Sequence, residues 1–400
     1  MKRKNFIFGL LFFAFTVLGI SAMAQERQAY IIKNGAVVFQ SEISDIDSIV
    51  FSTDPEPFND ITATELVANI KVGWNLGNTL DCSGLDWLGA NPTVSQLETA
   101  WGNPVTTKAM ITTIKNAGFN AIRIPVSWNK VVDANYNIRP DWMARVTEIV
   151  NYAIDNDMYV LLNTHHDEGI FKFTNAQKAA SLNAFGKIWA QIADNFKNYN
   201  EKLVFEALNE PRTKGSASEW NGGSAEEHSV LNEHYQLFVN TVRASGGNND
   251  KRILMINPYG ASGSQIAMNE LHIPTDTKPN KIIASFHNYA PWDFASTGSA
   301  DTWSMVNTAD VLPITDPIDF AYNRFVSHNI PVIIGEFGAT DKNNEPARAT
   351  WAKCYVLYAI GKDIKCFWWD GGSTTKLLNR SNNTFFFPQI VDALMSGTVK

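Results

Sequence analysis

The stretch KLVFEALNEPR, residues 202–212, ends an apolar run with a cluster of polar residues. Residues 202–208 are typical of a buried strand, and buried strands exclude carboxylates unless another group compensates them. Glu206 nevertheless lies inside the run, and Asn209 and Glu210 follow at once, before Pro211 ends strand pairing. The pattern therefore predicts a rigid strand that carries an acid at its carboxyl end.

Similar apolar runs recur along the chain and alternate with longer helical patterns. The predicted strands are residues 70–76, 119–126, 158–164, 202–208, 252–257, 281–287, 331–337 and 364–369. The predicted helices between them include residues 104–117, 141–156, 175–198, 226–245 and 345–361. Eight strand-helix units favour an α/β fold of the (β/α)8 TIM-barrel type. A doubly wound sheet is the alternative, but the first strand is not followed by a glycine-rich phosphate loop.

The N-terminal part of the chain differs from this pattern. Residues 1–24 combine a basic start, an apolar run and the small residues Ala22 and Ala24, which predicts a cleavable signal peptide and a secreted or periplasmic protein. No membrane span is expected once this segment is removed. Residues 25–58 predict a small β-hairpin around Asn34-Gly35 and a linker. Residues 59–400 are then one barrel domain.

Composition narrows the function. The net charge of −7 argues against a nucleic-acid partner, whose phosphates require a basic surface. The chain contains 24 Phe, 12 Trp and 11 Tyr, and this wealth of rings suits a neutral substrate. With three cysteines one disulfide is possible, but Cys366 lies in an apolar run and is expected to be simply buried.

Polar residues stand at the carboxyl ends of most predicted strands, the face on which barrel enzymes build their sites. Any one of them could be an ordinary buried structural group, but together they indicate one site. They are Arg123, His165, His166, Asn209, Glu210, His287, Tyr289, Glu336, Trp368 and Trp369.

Two acids in a ring-lined groove are typical of a glycoside hydrolase. Glu210 and Glu336 are the best pair. Glu206 competes with Glu210, but it lies about 13 Å deeper along the strand. We therefore interpret Glu206 as a buried support, with the alternative that it orients another site residue.

No metal or other cofactor is expected, with the alternative that loop acids such as Asp81 or Asp86 bind a Ca²⁺ ion, although no segment has EF-hand spacing. The sequence HHDE at 165–168 could suggest metal ligands, but adjacent strand residues point to opposite faces, so His165 and His166 should not grip one ion.

Eight ordered segments resemble glycoside hydrolase family 5, in particular its endoglucanase and xyloglucanase branch. They are GWNLGNTLD (73–81), ETAWGNP (98–104), FNAIRIPVSW (119–128), NTHHDE (163–168), FEALNEPR (205–212), HNYAPWDF (287–294), PVIIGEFG (331–338) and FWWDGG (367–372). The resemblance covers about residues 61–396. It implies a (β/α)8 enzyme that hydrolyses β-1,4-glucans with retention and without a metal. We also expect a monomer.

The resemblance also implies residue roles. Glu210 would be the acid/base and Glu336 the nucleophile, with Arg123 and Tyr289 on Glu336 and His287 on the acid/base side. The sugar beside the scissile bond would contact His165, Asn209 and Trp369, or Trp368 if the alignment is shifted by one residue. Outer contacts would be Asn75, His166 and Trp101. Two positions depart from the family pattern: Cys82 replaces an expected Ala, and Gly371 replaces an expected Asn.

Other functions remain open at this point. A β-mannanase or xylanase could use the same barrel, and a barrel that only binds carbohydrate is the non-enzymatic alternative. Small residues in the loop 79–97, and two Trp in the loop 291–303, predict that a side-chain-decorated glucan is accepted as well.

Overall fold

A computed structural model describes residues 28–33, 36–43 and 57–398. The predicted signal peptide, the Asn34-Gly35 turn and most of the predicted linker lie outside the described residues. The chain divides into two compact units, residues 1–54 and 55–400. In the first unit, β1 (Gln28–Lys33) pairs antiparallel with β2 (Ala36–Glu42), which confirms the predicted hairpin.

The second unit is built around a closed barrel of eight parallel strands. Each predicted strand is present, and the last one pairs with the first as well as with its predecessor. The barrel strands are β3 (Gly73–Leu76), β4 (Ala121–Ile124), β5 (Tyr159–Asn163), β6 (Leu203–Glu206), β7 (Leu254–Ile256), β8 (Ile282–His287), β9 (Val332–Phe337) and β10 (Lys365–Asp370). The (β/α)8 prediction is confirmed.

Helices surround the barrel. They are α1 (Ala63–Asn69), α2 (Val94–Glu98), α3 (Lys108–Asn116), α4 (Pro140–Ile154), α5 (Lys178–Phe196), α6 (Ala225–Ala244), α7 (Gln265–Asn269), α8 (Trp292–Ala295), α9 (Thr308–Arg324), α10 (Glu345–Gly361) and α11 (Pro388–Ser396). Two short paired strands, β11 (Leu378–Asn379) and β12 (Thr384–Phe385), follow β10. No helix among the described residues is long and apolar enough to cross a membrane.

Two helices show what the sequence pattern could not resolve. The predicted helix 104–117 begins at Lys108, because the side chain of Thr107 accepts a hydrogen bond from the Met110 N–H and caps the helix there. The prediction assigns no bounds to α9, which contains Pro313 and Pro317, residues that normally interrupt a helical pattern.

The barrel interior is apolar at its amino end and polar at its carboxyl end. Inward-facing side chains such as Leu161, Met255 and Phe367 fill the amino end together with α1, whose Leu66 packs among them. Gly73 makes this packing possible, since a Cβ at that position would lie 2.0 Å from the Phe367 ring. Buried charged residues begin one layer higher, with Arg123 and Glu206. The apolar layer is therefore the floor beneath the candidate site.

Candidate active site

Glu210 and Glu336 face each other at the carboxyl end of the barrel. Glu336 lies within β9, and Glu210 lies in the turn after β6. Their side chains are 7% and 20% exposed, respectively. One carboxylate oxygen of each lies within 4.8 Å of the other, which suits the separation of about 5–5.5 Å between the two carboxyl groups of a retaining glycosidase.

Arg123 lies beneath the pair and is fully buried. Its Nη1 donates to Glu336 Oε1 at 2.7 Å, while Nε and Nη2 donate to the two oxygens of Glu206 at 2.6 and 2.9 Å. Burial lowers the pKa of Arg123, but the charges of Glu206 and Glu336 outweigh it and raise the pKa above its usual range. One cation is thus held between two carboxylates.

Glu206 is the support group that the sequence predicted. Besides gripping Arg123, its Oε1 accepts a hydrogen bond from Asn257 Nδ2 at 2.8 Å. The alternative, that Glu206 orients another site residue, holds as well, because Glu206 orients Arg123 and Arg123 in turn contacts Glu336. This explains the acid inside a core strand: a charge-assisted pair compensates its burial.

Asn75 corrects a prediction. An outer substrate contact was expected, but its side chain is fully buried. Its Nδ2 donates to the carbonyl of Gly335 at 3.0 Å, and its Oδ1 accepts from Arg123 Nη1 at 3.1 Å. Asn75 therefore fixes Arg123 and has no exposed surface with which to contact a substrate.

Tyr289 and His287 surround the carboxylates from above. The Tyr289 hydroxyl donates to Glu336 Oε2 at 2.8 Å. Burial and the charge of Glu336 raise the pKa of Tyr289 well above its usual value, so the hydroxyl stays a donor. His287 Nδ1 lies 3.1 Å from Glu210 Oε1 and 3.6 Å from Glu336 Oε2, between the two acids.

Glu210 has a mixed environment. Burial raises its pKa, but the hydrogen bond and charge of His287, with the charge of Arg212, outweigh burial and lower the pKa below its usual value. Asn209, just before it, accepts from Arg123 Nη2 at 2.7 Å through Oδ1. The Asn209 Nδ2 is then the donor that remains for a ligand.

The tryptophan ambiguity is resolved by strand alternation. Trp368 is fully buried, and its Nε1 donates to the Thr375 carbonyl at 2.9 Å. Trp369 lines the main cavity instead and stacks on the His165 ring, with centroids 5.7 Å apart and planes 9° apart. Of the two rings, Trp369 is therefore the one that faces the cavity.

His165 and His166 do converge, contrary to the prediction. Their ring centroids are 4.4 Å apart, and ring nitrogens of both lie near Asp81. The strand-alternation argument was wrong here because β5 ends at Asn163, before either histidine.

The hydrogen bonds of His165 nevertheless favour a donor role over metal binding. Its Nδ1 lies 3.2 Å from Asn163 Nδ2, which can only donate, while Asn163 Oδ1 accepts from the Val126 N–H. In the neutral ring, Nε2 therefore carries the proton, and it points toward Asp81 Oδ2 at 3.9 Å. Burial, followed by the charges of His166 and Arg123, lowers the pKa of His165 well below its usual value, so the ring stays neutral.

The outer residues lie at the rim. His166 packs near Trp101, with ring centroids 5.7 Å apart, and Trp101 is 40% exposed. From Glu210 a cavity of about 1080 Å³ extends toward the loops after β6, β7 and β8, with the rings of Trp220 and Trp292 in its lining. Trp303, predicted as a second ring of the 291–303 loop, is instead buried, and its Nε1 donates to the Asp310 carbonyl.

The cellulase model of glycosyl hydrolase family 5 matches residues 85–374. The chain belongs to this family.

Named family 5 relatives are similar over most of this chain. Endoglucanase A of Clostridium longisporum is 42% identical over 84% of this chain and 66% of its own length. Cellulase/esterase CelE of Acetivibrio thermocellus is 43% identical over 84% of this chain and 41% of its own length. The chain thus spans less than two thirds of the length of these two relatives. Endoglucanase B of Ruminococcus albus is 43% identical over 84% of this chain and 81% of its own length.

Solved structures agree with the barrel over nearly their whole length. A GH5-4 broad specificity endoglucanase from Ruminococcus champanellensis with bound cellotriose has a TM-score of 0.82 at 44% identity, covering 85% of this chain and 100% of that one. A family 5 lichenase from Caldicellulosiruptor sp. F32, in complex with cellotetraose, has a TM-score of 0.80 at 39% identity, covering 88% and 99%.

The two departures from the family 5 pattern have structural explanations. A Cβ at Gly371 would lie 2.8 Å from Asn78 Nδ2 and 3.1 Å from Trp369 Nε1, so any larger residue would require Asn78 to move. Cys82 is buried, and its thiol donates to the Thr79 carbonyl. All three cysteines are free thiols, and Cys366 is buried as predicted.

Sequence reasoning missed Arg212 and Trp220 in this family 5 site. Arg212 stood in the quoted segment itself, two residues after the acid, but a loop position after proline has no periodicity to indicate where its side chain points. Trp220 lies in a polar loop, and nothing in the surrounding sequence marks it. The observation that does so is the 62% exposure of this residue, which only the structure supplies.

Proposed function

We propose that the protein is a retaining endo-β-1,4-glucanase. The observation that carries the proposal is the Glu210–Glu336 pair, whose oxygens lie within 4.8 Å of each other but whose partners differ. Glu336 accepts hydrogen bonds from Arg123 and Tyr289, and these two donors hold its carboxylate in a fixed orientation, as a nucleophile requires. Glu210 lies 3.1 Å from His287 Nδ1 and borders the cavity, a position that suits a group which both gives and takes a proton.

The reaction proceeds in two displacements. In the first, the Glu336 carboxylate attacks the anomeric carbon while Glu210 gives its proton to the departing oxygen, and a glycosyl-enzyme forms. A bound glucan displaces water from Glu210, and burial is the effect that raises the pKa of this residue. In the second displacement, Glu210 takes a proton from water, which attacks the same carbon and releases the sugar with its original configuration.

The substrate is a β-glucan chain, with decorated chains accepted. Three exposed rings are available for stacking on sugars, Trp101 near His166 and Trp220 and Trp292 in the cavity beside Glu210. The same cavity is lined by small residues around Gly260 and Ser262, which leaves room for a side-chain sugar. The similarity to endoglucanases of stated broad specificity supports this choice.

Initial rates on four polysaccharides test the proposal. Barley β-glucan and xyloglucan should both be cleaved, and the viscosity of the glucan solution should fall well before reducing ends accumulate. Faster cleavage of mannan or xylan would replace the proposal with the β-mannanase or xylanase alternative. Inverted products in an NMR time course would exclude the two-displacement mechanism.

We also propose that the protein is exported and acts as a monomer. Residues 1–24 support export through their signal-peptide pattern. Recovery of a mature N-terminus at Gln25 outside the cytoplasm, and a monomer mass by light scattering, are the expected results.

A further inference from the structure

Arg212 is a nearly buried cation that the two-displacement mechanism does not use. It is 8% exposed and follows the acid by two residues. Its Nη1 donates to the Glu210 carbonyl at 2.9 Å and lies 3.5 Å from Glu210 Oε2. Its Nη2 lies 3.2 Å from Glu168 Oε1. The guanidinium is therefore anchored directly to the backbone and side chain of Glu210.

The same guanidinium also lies against Trp220, 4.5 Å from the centre of the indole ring. Trp220 belongs to the loop between β6 and α6, residues 207–224, and its neighbour Glu219 accepts from Arg212 Nε at 3.2 Å. The second oxygen of Glu219 accepts from the Gly215 N–H at 2.6 Å. Arg212 thus joins both the ring and its loop to Glu210.

The position of Trp220 relates it to the departing sugar. The cavity beside Glu210 is lined by the loops after β6, β7 and β8 and also by Trp369 and the loops after β9 and β10, whereas His166 and Trp101 lie outside its lining. Glu210 gives its proton to the departing oxygen, so the sugar attached to that oxygen occupies the side of the cleft that Glu210 borders. Trp220 is the exposed ring on this side that is tied to Glu210.

We propose that Arg212 is a positioning residue, which holds Trp220 beside Glu210 as the platform for the leaving-group sugar of a β-glucan chain. This inference rests on the proposed endoglucanase function. One planar cation stacks on the Trp220 ring while it is bonded to the Glu210 backbone, so the ring is held at a fixed place beside the acid. Lysine could keep the charge but not the stacked, forked geometry.

The charge of Arg212 adds a second, separable readout. Arg212 lowers the pKa of Glu210 against burial and alongside His287. The alkaline limb of the rate profile reports the loss of the acid's proton. A neutral residue at position 212 should therefore move this limb to higher pH, whereas lysine should leave it in place.

The experiment compares cellotetraose with β-cellobiosyl fluoride, whose leaving group is too small to reach Trp220. Trp220→Ala should lower kcat/KM on cellotetraose by about three- to tenfold and leave the fluoride rate nearly unchanged. Arg212→Lys should give the same selective loss with an unmoved alkaline limb. Arg212→Gln should give that loss together with the shifted limb.

Double variants show whether the two residues act as one unit. Arg212→Lys combined with Trp220→Ala should be no slower on cellotetraose than either single variant. Trp292→Ala is the matched control, because Trp292 is a 66% exposed ring of the same cavity that does not stack on Arg212. Its loss should multiply with that of Arg212→Lys.

Melting temperatures establish whether the Arg212 and Trp220 variants are folded. If they are not, Glu219→Gln takes their place, because it loosens the loop without removing Arg212. Glu219→Gln should reproduce the selective cellotetraose loss. Equal losses on both substrates, or multiplying losses for Arg212→Lys and Trp220→Ala, would overturn the assignment while the endoglucanase function stands. A wild type that cleaves neither substrate would overturn both.

Discussion

Glu336 and Glu210 differ in the groups that surround them, and removing each should have a different effect. Glu336→Ala loses the covalent route, so cellulosic and activated aryl cellobiosides should both become nearly inert. Glu210→Ala loses proton donation, which a dinitrophenyl leaving group does not need, so the glycosyl-enzyme should accumulate. Added azide should then accelerate Glu210→Ala and yield the β-glycosyl azide.

The azide product is the measurement that checks the assignment of the two acids. Stereochemistry is determined by NMR on the isolated azide. An α-azide from Glu210→Ala would contradict its role as the acid/base, since it would mean that azide attacks the β-glycoside directly from the position of a removed nucleophile.

Glu206 contributes to stability as well as to orientation. Glu206→Gln keeps the shape but removes one of the two anions paired with Arg123. Breaking a buried ion pair costs about 3–5 kcal/mol, and a misplaced Arg123 should lower kcat/KM about 100-fold. Urea unfolding and steady-state kinetics measure the two effects.

The control for Glu206 is an exposed ion pair. Asp155→Asn breaks the contact with Lys108, in which both side chains are more than half exposed. Its free energy of unfolding should change by about 0–1 kcal/mol. A Glu206→Gln protein as stable as this control would show that Arg123 is compensated by other groups.

At the scale of the element, strand β10 directs two adjacent tryptophans to opposite faces, and each has a different role. Trp368 packs behind the strand between barrel and helices, so Trp368→Ala should cost about 3–5 kcal/mol of unfolding free energy. Trp369 faces the cleft, so Trp369→Ala should cost less stability but lower kcat/KM on β-glucan about tenfold or more. Thermal unfolding beside kinetics distinguishes them, and a reversed outcome would mean that the strand is shifted by one residue.

The strands and the two acids could be predicted from sequence because each signal is local. An apolar run bounded by polar residues marks a parallel strand, and a barrel places all its carboxyl ends on one face. The depth at which a residue lies within the barrel mouth is not indicated by any local sequence signal. Asn75 lies on the same face as the acids, but only its pairing with Arg123 across β3 and β4 shows that it is below them.

Loops and interrupted helices escaped prediction for a related reason. His165 and His166 converge because β5 ends at Asn163, and a boundary shift of two residues removes the alternation on which the prediction depended. The prolines of α9 conceal a helix that packing against the barrel stabilises through Ile314 and Ile318. In each case tertiary contacts outweigh the local signal.

At the scale of the whole molecule, Asp167 links the loop after β5 to pH-dependent stability. Its Oδ1 accepts the N–H groups of Trp128 and Asn129, whereas its buried Oδ2 has no hydrogen-bond partner among the described residues. Burial raises the pKa of Asp167 to about 7, against the effect of these two N–H donors. The folded protein therefore binds a proton here more tightly than the unfolded chain.

The sign of the effect follows from this difference. Between the unfolded pKa near 4 and the folded pKa near 7, the native state holds more protons, so the stabilising contribution is complete at the acid end and is lost as pH rises. Asp167→Asn keeps the Oδ1 acceptor but cannot ionise. From pH 4 to pH 7.5 its unfolding free energy should therefore rise relative to wild type by roughly 2–4 kcal/mol, at about 1.4 kcal/mol per pKa unit.

Urea unfolding at several pH values measures this difference. Asp155→Asn is again the control, since it removes a carboxylate that is more than half exposed. Parallel curves for Asp167→Asn and wild type would contradict a protonated Asp167 in the folded state.

The closure of the barrel determines when activity can appear during folding. β10, near the C-terminal end of the chain, completes the ring by pairing with β3, and it brings with it Trp369 and the backbone carbonyls that hold Asn75. During synthesis or export, a chain that has not yet delivered β10 contains both glutamates but lacks a finished cleft. Hydrolytic activity should therefore appear in the last refolding phase, together with the burial of Trp368. The time at which activity appears then reports when the barrel is complete. A refolding experiment that follows glucan cleavage and tryptophan fluorescence in parallel would show activity lagging earlier fluorescence changes, and activity that preceded barrel closure would contradict this order.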